Sequence, residues 1–282
     1  MTHHTQASTP TLAFIGAGNM ATAMIRGLVA QGYPAGCIWA TNLTTEPLAQ
    51  LALQTGIHTT TDNDLACQQA DLVVLAVKPQ MMASVLDALR PVLQHKRPLV
   101  LSIAAGLASA TLLEWIGSDL PLVRAMPNTP ALLGAGATGL YATAAVTAEQ
   151  RTWVDRIASA MGQGFWVEEE AQIDAVTAIS GSGPAYYFLF TEALAAAGHT
   201  LGLDAELAQA LAIQTAAGAG RMLAEAGEAP ALLRQKVTSP GGTTAAALAC
   251  FEQQGLAHLV EQAAQAAAQR AQQLAQELSQ TH

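Results

Sequence analysis

The chain has little charge and very little lysine. Only 12% of its 282 residues are Asp, Glu, Lys or Arg, and just three are lysines, Lys78, Lys96 and Lys236. None of the seven histidines falls in a recognisable motif. His3, His4 and His282 are terminal, and His199 and His258 look like turn or surface positions. Few groups are therefore suited to general-acid work near neutral pH. Cysteine is scarce too. Cys37, Cys67 and Cys250 lie far apart without CxxC or metal-ligand spacing, so reduced structural thiols and no metal site are expected. The net charge of −9 opposes nucleic acid or anionic membranes as partners. Residues 1–10 have no apolar core of signal-peptide type, and no segment reads as a membrane span. These absences lead to the expectation of a soluble, cytoplasmic protein. What remains is 51% hydrophobic and rich in alanine, enough for a large core and for apolar helix surface hidden against another subunit.

Near the N-terminus, Thr11-Leu12-Ala13-Phe14-Ile15 has β character and runs directly into Gly16-Ala17-Gly18-Asn19-Met20-Ala21. Met24, Ile25, Leu28 and Val29 then continue with helical spacing. G-x-G-x-x-A between a strand and a helix is a dinucleotide signature. Gly16 permits the tight turn, Gly18 lets a pyrophosphate approach the backbone, and Ala21 lets helix and strand pack closely. The second strand, near 37–41, should end at the residue that reads the adenine ribose. NAD sites usually place Asp or Glu there, whereas this chain has Asn42-Leu43-Thr44-Thr45. With no carboxylate to repel a 2′-phosphate, NADP is favoured and NAD remains possible. No arginine stands there to clamp the phosphate. Thr44 or Thr45 could equally cap the helix beginning at Glu46-Pro47.

Strand-like runs at 11–15, 37–41, about 57–60, 72–77, 98–104, 121–126, 137–141 and 164–168 alternate with helical ones. The alternation predicts a Rossmann-like, parallel, doubly wound sheet over residues 1–168. Two strands end in small or turn-forming residues, at Lys78-Pro79-Gln80 and at Ala104-Ala105-Gly106, leaving room for a ring or a ribose. After Val167 nearly everything has helical spacing, and 169–282 reads as an all-helical domain suited to an intertwined dimer. Ser180-Gly181-Ser182-Gly183-Pro184 should kink its first long helix. Asp204 should cap the next, to about Ala226. Pro230–Lys236 reads as a short helix and 255–278 as the last one.

Between the last two helices stands Val237-Thr238-Ser239-Pro240-Gly241-Gly242-Thr243-Thr244, then an alanine-rich run. Pro240 and the glycines favour a turn, with the threonines where a helix should begin. A helix start offers unpaired N–H groups and the positive end of the dipole, which suits a small carboxylate. An ordinary helix cap after a turn is the other reading.

In these blocks the chain resembles the pyrroline-5-carboxylate reductase family over essentially its full length. The matching blocks are 14–21, Ala76-Val77-Lys78-Pro79-Gln80, Met126-Pro127-Asn128-Thr129-Pro130, Ser180–Tyr186 and Val237–Thr244. The resemblance implies NAD(P)H-dependent reduction of 1-pyrroline-5-carboxylate to proline. It implies that Ser239, Gly241, Gly242, Thr243 and Thr244 form the substrate turn, with the Thr244 hydroxyl, the catalytic candidate, facing the ring nitrogen. It places Gly16, Ala17, Gly18, Asn19, Met20, Asn42, Asn63, Ala76, Val77, Lys78, Pro79 and Ala104 along the cofactor, and Glu170 near the bound ligands. A homodimer is implied as well, with a ring of dimers as a further assembly. Relatives often carry Arg or Ser-Pro where this chain has Asn42-Leu43, and some carry Asn in place of Lys236.

The residues agree with that chemistry. A hydroxyacid dehydrogenase of similar layout would need a lysine on the first long helix after the sheet, and 173–201 has none. A protonated cyclic imine accepts hydride without a strong enzymic acid, so hydroxyl and amide groups suffice to orient it. Tyr186 could serve as an acid, although its place beside Tyr187 and Phe188 reads as helix packing. The competing functions are another imine or 3-hydroxyacid reductase and a non-catalytic nucleotide sensor.

Overall fold

The computed structural model describes residues 9–280. Eight strands form one sheet: β1 Leu12–Ile15, β2 Ile38–Thr41, β3 His58–Thr60, β4 Leu72–Leu75, β5 Leu99–Ser102, β6 Leu122–Met126, β7 Gly136–Ala142 and β8 Gly162–Trp166. Their order is β3-β2-β1-β4-β5-β6-β7-β8. Chain direction switches sides at β1, which pairs in parallel with β2 on one edge and β4 on the other. Side chains alternate across the strands. Leu12, Phe14, Leu72 and Val74 enter one apolar cluster, while Ala13, Ile15, Val73 and Leu75 enter the other. Burial on both faces explains why β1 and β4 read as unbroken apolar runs.

The sheet departs from the expected all-parallel form at its end. β7 runs antiparallel to β6, with Met126 opposite Gly139. Between them lies only a short connection holding the 3-10 turn Thr129–Leu133, too short for the crossover that parallel pairing requires. Helix Ala148–Ser159 then supplies a crossover, so β8 pairs in parallel with β7. β8 also begins two residues earlier than expected. The Gly136 N–H donates to the Met161 carbonyl at 2.7 Å and starts the ladder there.

Packing divides the described residues into two compact units, 9–181 with 267–280, and 182–266. Strands do end at 166, as the change of spacing implies. Residues 169–181 and 267–280 nevertheless belong by contact to the sheet unit, because helical periodicity does not reveal which neighbour a helix packs on. Gln172–Val176 passes through a single π-helical turn, Thr177–Gly181, into helix Gly183–Thr200, with Pro184 in the first turn of that helix. The expected kink is therefore a π-turn.

The second unit contains helix Ala205–Glu225, whose N-cap Asp204 accepts from the Glu206 and Leu207 amides, and Pro230–Lys236 and Thr243–Gln253. The last helix, Leu256–Gln280, begins in this unit. Much of the unit's apolar surface is uncovered: Tyr187, Phe188 and Leu189 are each about two-thirds exposed. Among the described residues no helix is long and apolar enough to cross a membrane.

Candidate active site

The glycine loop closes the carboxyl end of β1. Gly16 adopts φ +95°, and a Cβ there would stand 2.8 Å from Val77 Cγ1, so this position needs glycine for both its conformation and its space. Ala17 donates its N–H to the Thr41 carbonyl at 2.7 Å, and Ala76 donates to the Ile15 carbonyl at 2.9 Å. The ends of β1, β2 and β4 are thereby drawn together around Gly16, Ala17, Ala76 and Val77. Gly18 is the N-cap of helix Asn19–Ala30, and no side chain caps that helix. A Cβ added at Gly18 meets nothing within 4 Å. The start of the helix, at Gly18, Asn19 and Met20, thus presents uncapped amides to open space, as a pyrophosphate site requires. These residues fit a dinucleotide.

Asn42 follows β2 and is half-buried. Its Nδ2 approaches the Ala17 carbonyl at 3.4 Å, and its Oδ1 accepts from the Leu43 amide at 2.8 Å. Thr44 is the N-cap of the following helix, Thr45–Thr55, but its side chain makes no capping hydrogen bond. Asn63 opens helix Asn63–Gln69, which Asp62 caps by accepting from the Leu65 amide. Lys78 is the exposed N-cap of helix Pro79–Lys96, with Pro79 at its first position. Ala104 is buried beyond the end of β5, its amide 3.4 Å from Ser102 Oγ.

Glu170 is fully engaged in the sheet unit. Its Oε1 accepts from the Ser109 amide at 2.6 Å and from Arg124 Nη1 at 2.7 Å, and its Oε2 accepts from Ser109 Oγ at 2.5 Å. Burial pushes this carboxyl upward. The paired hydrogen bonds from Ser109 and the Arg124 guanidinium outweigh that effect and hold it below its ordinary value. The carboxylate also caps helix Ser109–Ile116, which lacks a side-chain cap of its own. Arg124, only 8% exposed, lies in none of the sequence motifs. A lone charge within the apolar strand Leu122-Val123-Arg124-Ala125-Met126 was the available signal, since a buried charge needs a partner.

Two of the sequence blocks also meet. Asn128, buried after β6, donates from Nδ2 to the Ser180 carbonyl at 2.9 Å and accepts the Ala137 amide on Oδ1 at 2.9 Å. Gly181 packs so closely on Met126 that a Cβ would lie 2.7 Å from its Cε.

The turn at 239–244 belongs to the second unit. Gly241 has φ +70°, and the Gly242 amide donates to the Ser239 carbonyl at 3.0 Å. Gly242 is the N-cap of helix Thr243–Gln253 and no side chain caps it. Neither threonine serves as a helix cap. Thr243 is exposed and Thr244 half-buried, each in the uncapped first turn. Lys236 is engaged by Glu228, with Nζ at 2.6 and 2.7 Å from its two oxygens.

Comparison with known proteins decides the family. Residues 170–274 match the family described as pyrroline-5-carboxylate reductase dimerisation, and residues 11–106 match that described as NADP oxidoreductase coenzyme F420-dependent. The pyrroline-5-carboxylate reductase of Pseudomonas aeruginosa is 51% identical over 92% of this chain and 94% of its own length. The chain belongs to the pyrroline-5-carboxylate reductase family. A solved pyrroline-5-carboxylate reductase from Coxiella burnetii superposes with a TM-score of 0.92 at 43% identity, covering 95% of this chain and 99% of that one. The pyrroline carboxylate reductase of Plasmodium falciparum, solved with NADP bound, gives 0.79 at 30% identity, covering 94% and 98%. The two solved reductases thus align with nearly the whole of this chain.

Proposed function

We propose that the chain is a pyrroline-5-carboxylate reductase, reducing the C=N bond of 1-pyrroline-5-carboxylate to give L-proline. The observation that carries this reading is the coexistence of an open glycine loop and an uncapped glycine-threonine turn in a chain 51% identical to a reductase of that name. A nucleotide sensor needs only the loop.

A nicotinamide dinucleotide supplies the hydride when bound. Gly16, Ala17, Gly18, Asn19 and Met20 hold its pyrophosphate, and Asn42, Asn63, Ala76, Val77, Lys78, Pro79 and Ala104 line its length. The amides of Thr243 and Thr244 hold the substrate carboxylate, with Ser239, Gly241 and Gly242 shaping the turn. Thr244 Oγ orients the ring nitrogen, which arrives protonated and so needs no strong enzymic acid. NADPH is preferred, because no carboxylate at the end of β2 repels a 2′-phosphate. Glu170 acts beside the ligands by keeping Arg124 and Ser109 in place.

Residues 1–168 carry nucleotide binding, and 169–282 supply the substrate turn and the subunit contact. The exposed apolar face of the second unit is covered by a second copy, and the dimers assemble further into a ring. Three free cysteines suit a reducing cytoplasm, and the net charge of −9 leaves nucleic acid aside as a partner. Loss of cofactor absorbance on adding pyrroline-5-carboxylate, followed with NADPH and NADH separately, tests the reading. Oxidation only with a six-membered imine or a 3-hydroxyacid, or cofactor binding without oxidation, would overturn it.

A further inference from the structure

The sheet unit contains a cavity of about 170 Å³ at the carboxyl ends of β4, β5 and β6. It is lined by Pro79, Ala104 and Gly106 on the strand-end side, by Asp174 on the helix before the π-turn, and by Leu274 and Leu278 on the last helix. Sites for whole drug-sized ligands hold about 300–1,000 Å³, so this one is the size of a single ring. A doubly wound sheet binds a dinucleotide across its switch point, one nucleotide over each half. The glycine loop and Asn42 occupy the β1–β2 half. The other nucleotide therefore lies over β4 to β6, where the cavity opens beside Pro79 and Ala104.

The last helix approaches this cavity at a place made for close contact. Gly106 has φ +76°, and a Cβ there would stand 3.2 Å from Leu278 Cδ1. Leu278 is itself packed against the second apolar cluster. Asp174 is half-buried, and its carboxylate has no hydrogen bond or ion pair among the described residues. A carboxamide N–H is a donor that such an acceptor can satisfy.

We propose that the end of the last helix, through Leu274 and Leu278, is the wall of the nicotinamide subsite, so that residues 195 and 199 positions from Pro79 set the fit of the cofactor's reactive ring. The inference rests on the cofactor reading above and adds to it a contact that the sequence does not announce. The wall touches only the nicotinamide end of the dinucleotide. Filling or trimming it must therefore change binding of the intact cofactor without changing binding of the same molecule lacking its nicotinamide.

The test is calorimetric titration of the full-length protein and its variants with NADPH and with 2′-phospho-ADP-ribose. Leu278→Trp should weaken NADPH by about tenfold or more, the scale of a misfit in an apolar pocket, and leave the fragment unchanged. Leu278→Ala, which loses contact without crowding and guards against misfolding of the bulky variant, should weaken NADPH less and again spare the fragment. Variants that bind both ligands as the parent does, or lose both in equal proportion, overturn the wall. A parent protein that binds neither ligand overturns the cofactor reading itself, and the wall with it.

Discussion

Arg124 on β6 and Glu170 ahead of the π-turn are 46 residues apart in the chain and meet at 2.7 Å. The same carboxylate holds the first amide of helix Ser109–Ile116. One side chain therefore joins a strand, a helix start and the segment leading out of the sheet. Its partners favour the charged form, so Glu170 has a folded-state pKa below its unfolded value. Its contribution to stability is present above the unfolded carboxylate value of about 4.3 and is lost as pH falls through the lower folded value.

Glu170→Gln should accordingly lower stability by about 1–3 kcal/mol at pH 7, since Arg124 keeps a hydrogen-bond partner but loses its counter-charge. The difference should shrink as pH drops below about 4. Thermal melts across pH 3 to 7 measure it. A gap independent of pH would mean that the carboxylate's charge is not what stabilises the junction.

Gly18→Ala should separate folding from binding. The added Cβ meets nothing within 4 Å, and φ −79° is ordinary for alanine, so the melting temperature should hold. The methyl group occupies the approach of the pyrophosphate, and NADPH affinity should fall by about tenfold, roughly 1.4 kcal/mol. Gly16→Ala should instead destabilise the fold by about 1–3 kcal/mol, because φ +95° and Val77 both oppose it. Equal melting temperatures for the two variants would contradict this distinction.

Asn42→Asp should turn the cofactor preference toward NADH. A carboxylate can still accept the Leu43 amide, while its charge repels a 2′-phosphate and suits a ribose hydroxyl. A fall of about tenfold in the NADPH-to-NADH ratio of kcat/KM is the expected size. An unchanged ratio would show that the end of β2 does not face the ribose.

Thr244→Ala should lower turnover by about 10- to 1000-fold, or roughly 1.4–4 kcal/mol of transition-state stabilisation. Because its hydroxyl caps nothing, the melting temperature should barely move. Normal turnover with a lower melting temperature would give Thr244 a structural role only.

Local pattern made much of this legible. The glycine loop, Pro79 at its helix start, the Asp204 cap and the short helix Pro230–Lys236 each follow from a few adjacent residues. What stayed hidden depends on distant partners. Arg124 looks like a misplaced charge until Glu170 is beside it. The reversal of β7 follows from a missing crossover, and Thr129–Leu133 carries no mark that a crossover is absent. Residues 267–280 show helical spacing, but spacing alone cannot say that Leu278 lies against Gly106.

That the chain's final stretch is built into its first unit has a consequence for synthesis. Everything from 182 to 266 must emerge from the ribosome before residues 267–280 can complete the sheet domain, so the domain made first is finished last. The contacts that join them span the longest loop in the molecule, and such closure is slow relative to local helix formation. A nascent chain halted before 267 would carry a finished nucleotide loop beside a second apolar cluster still lacking its Leu278 contact.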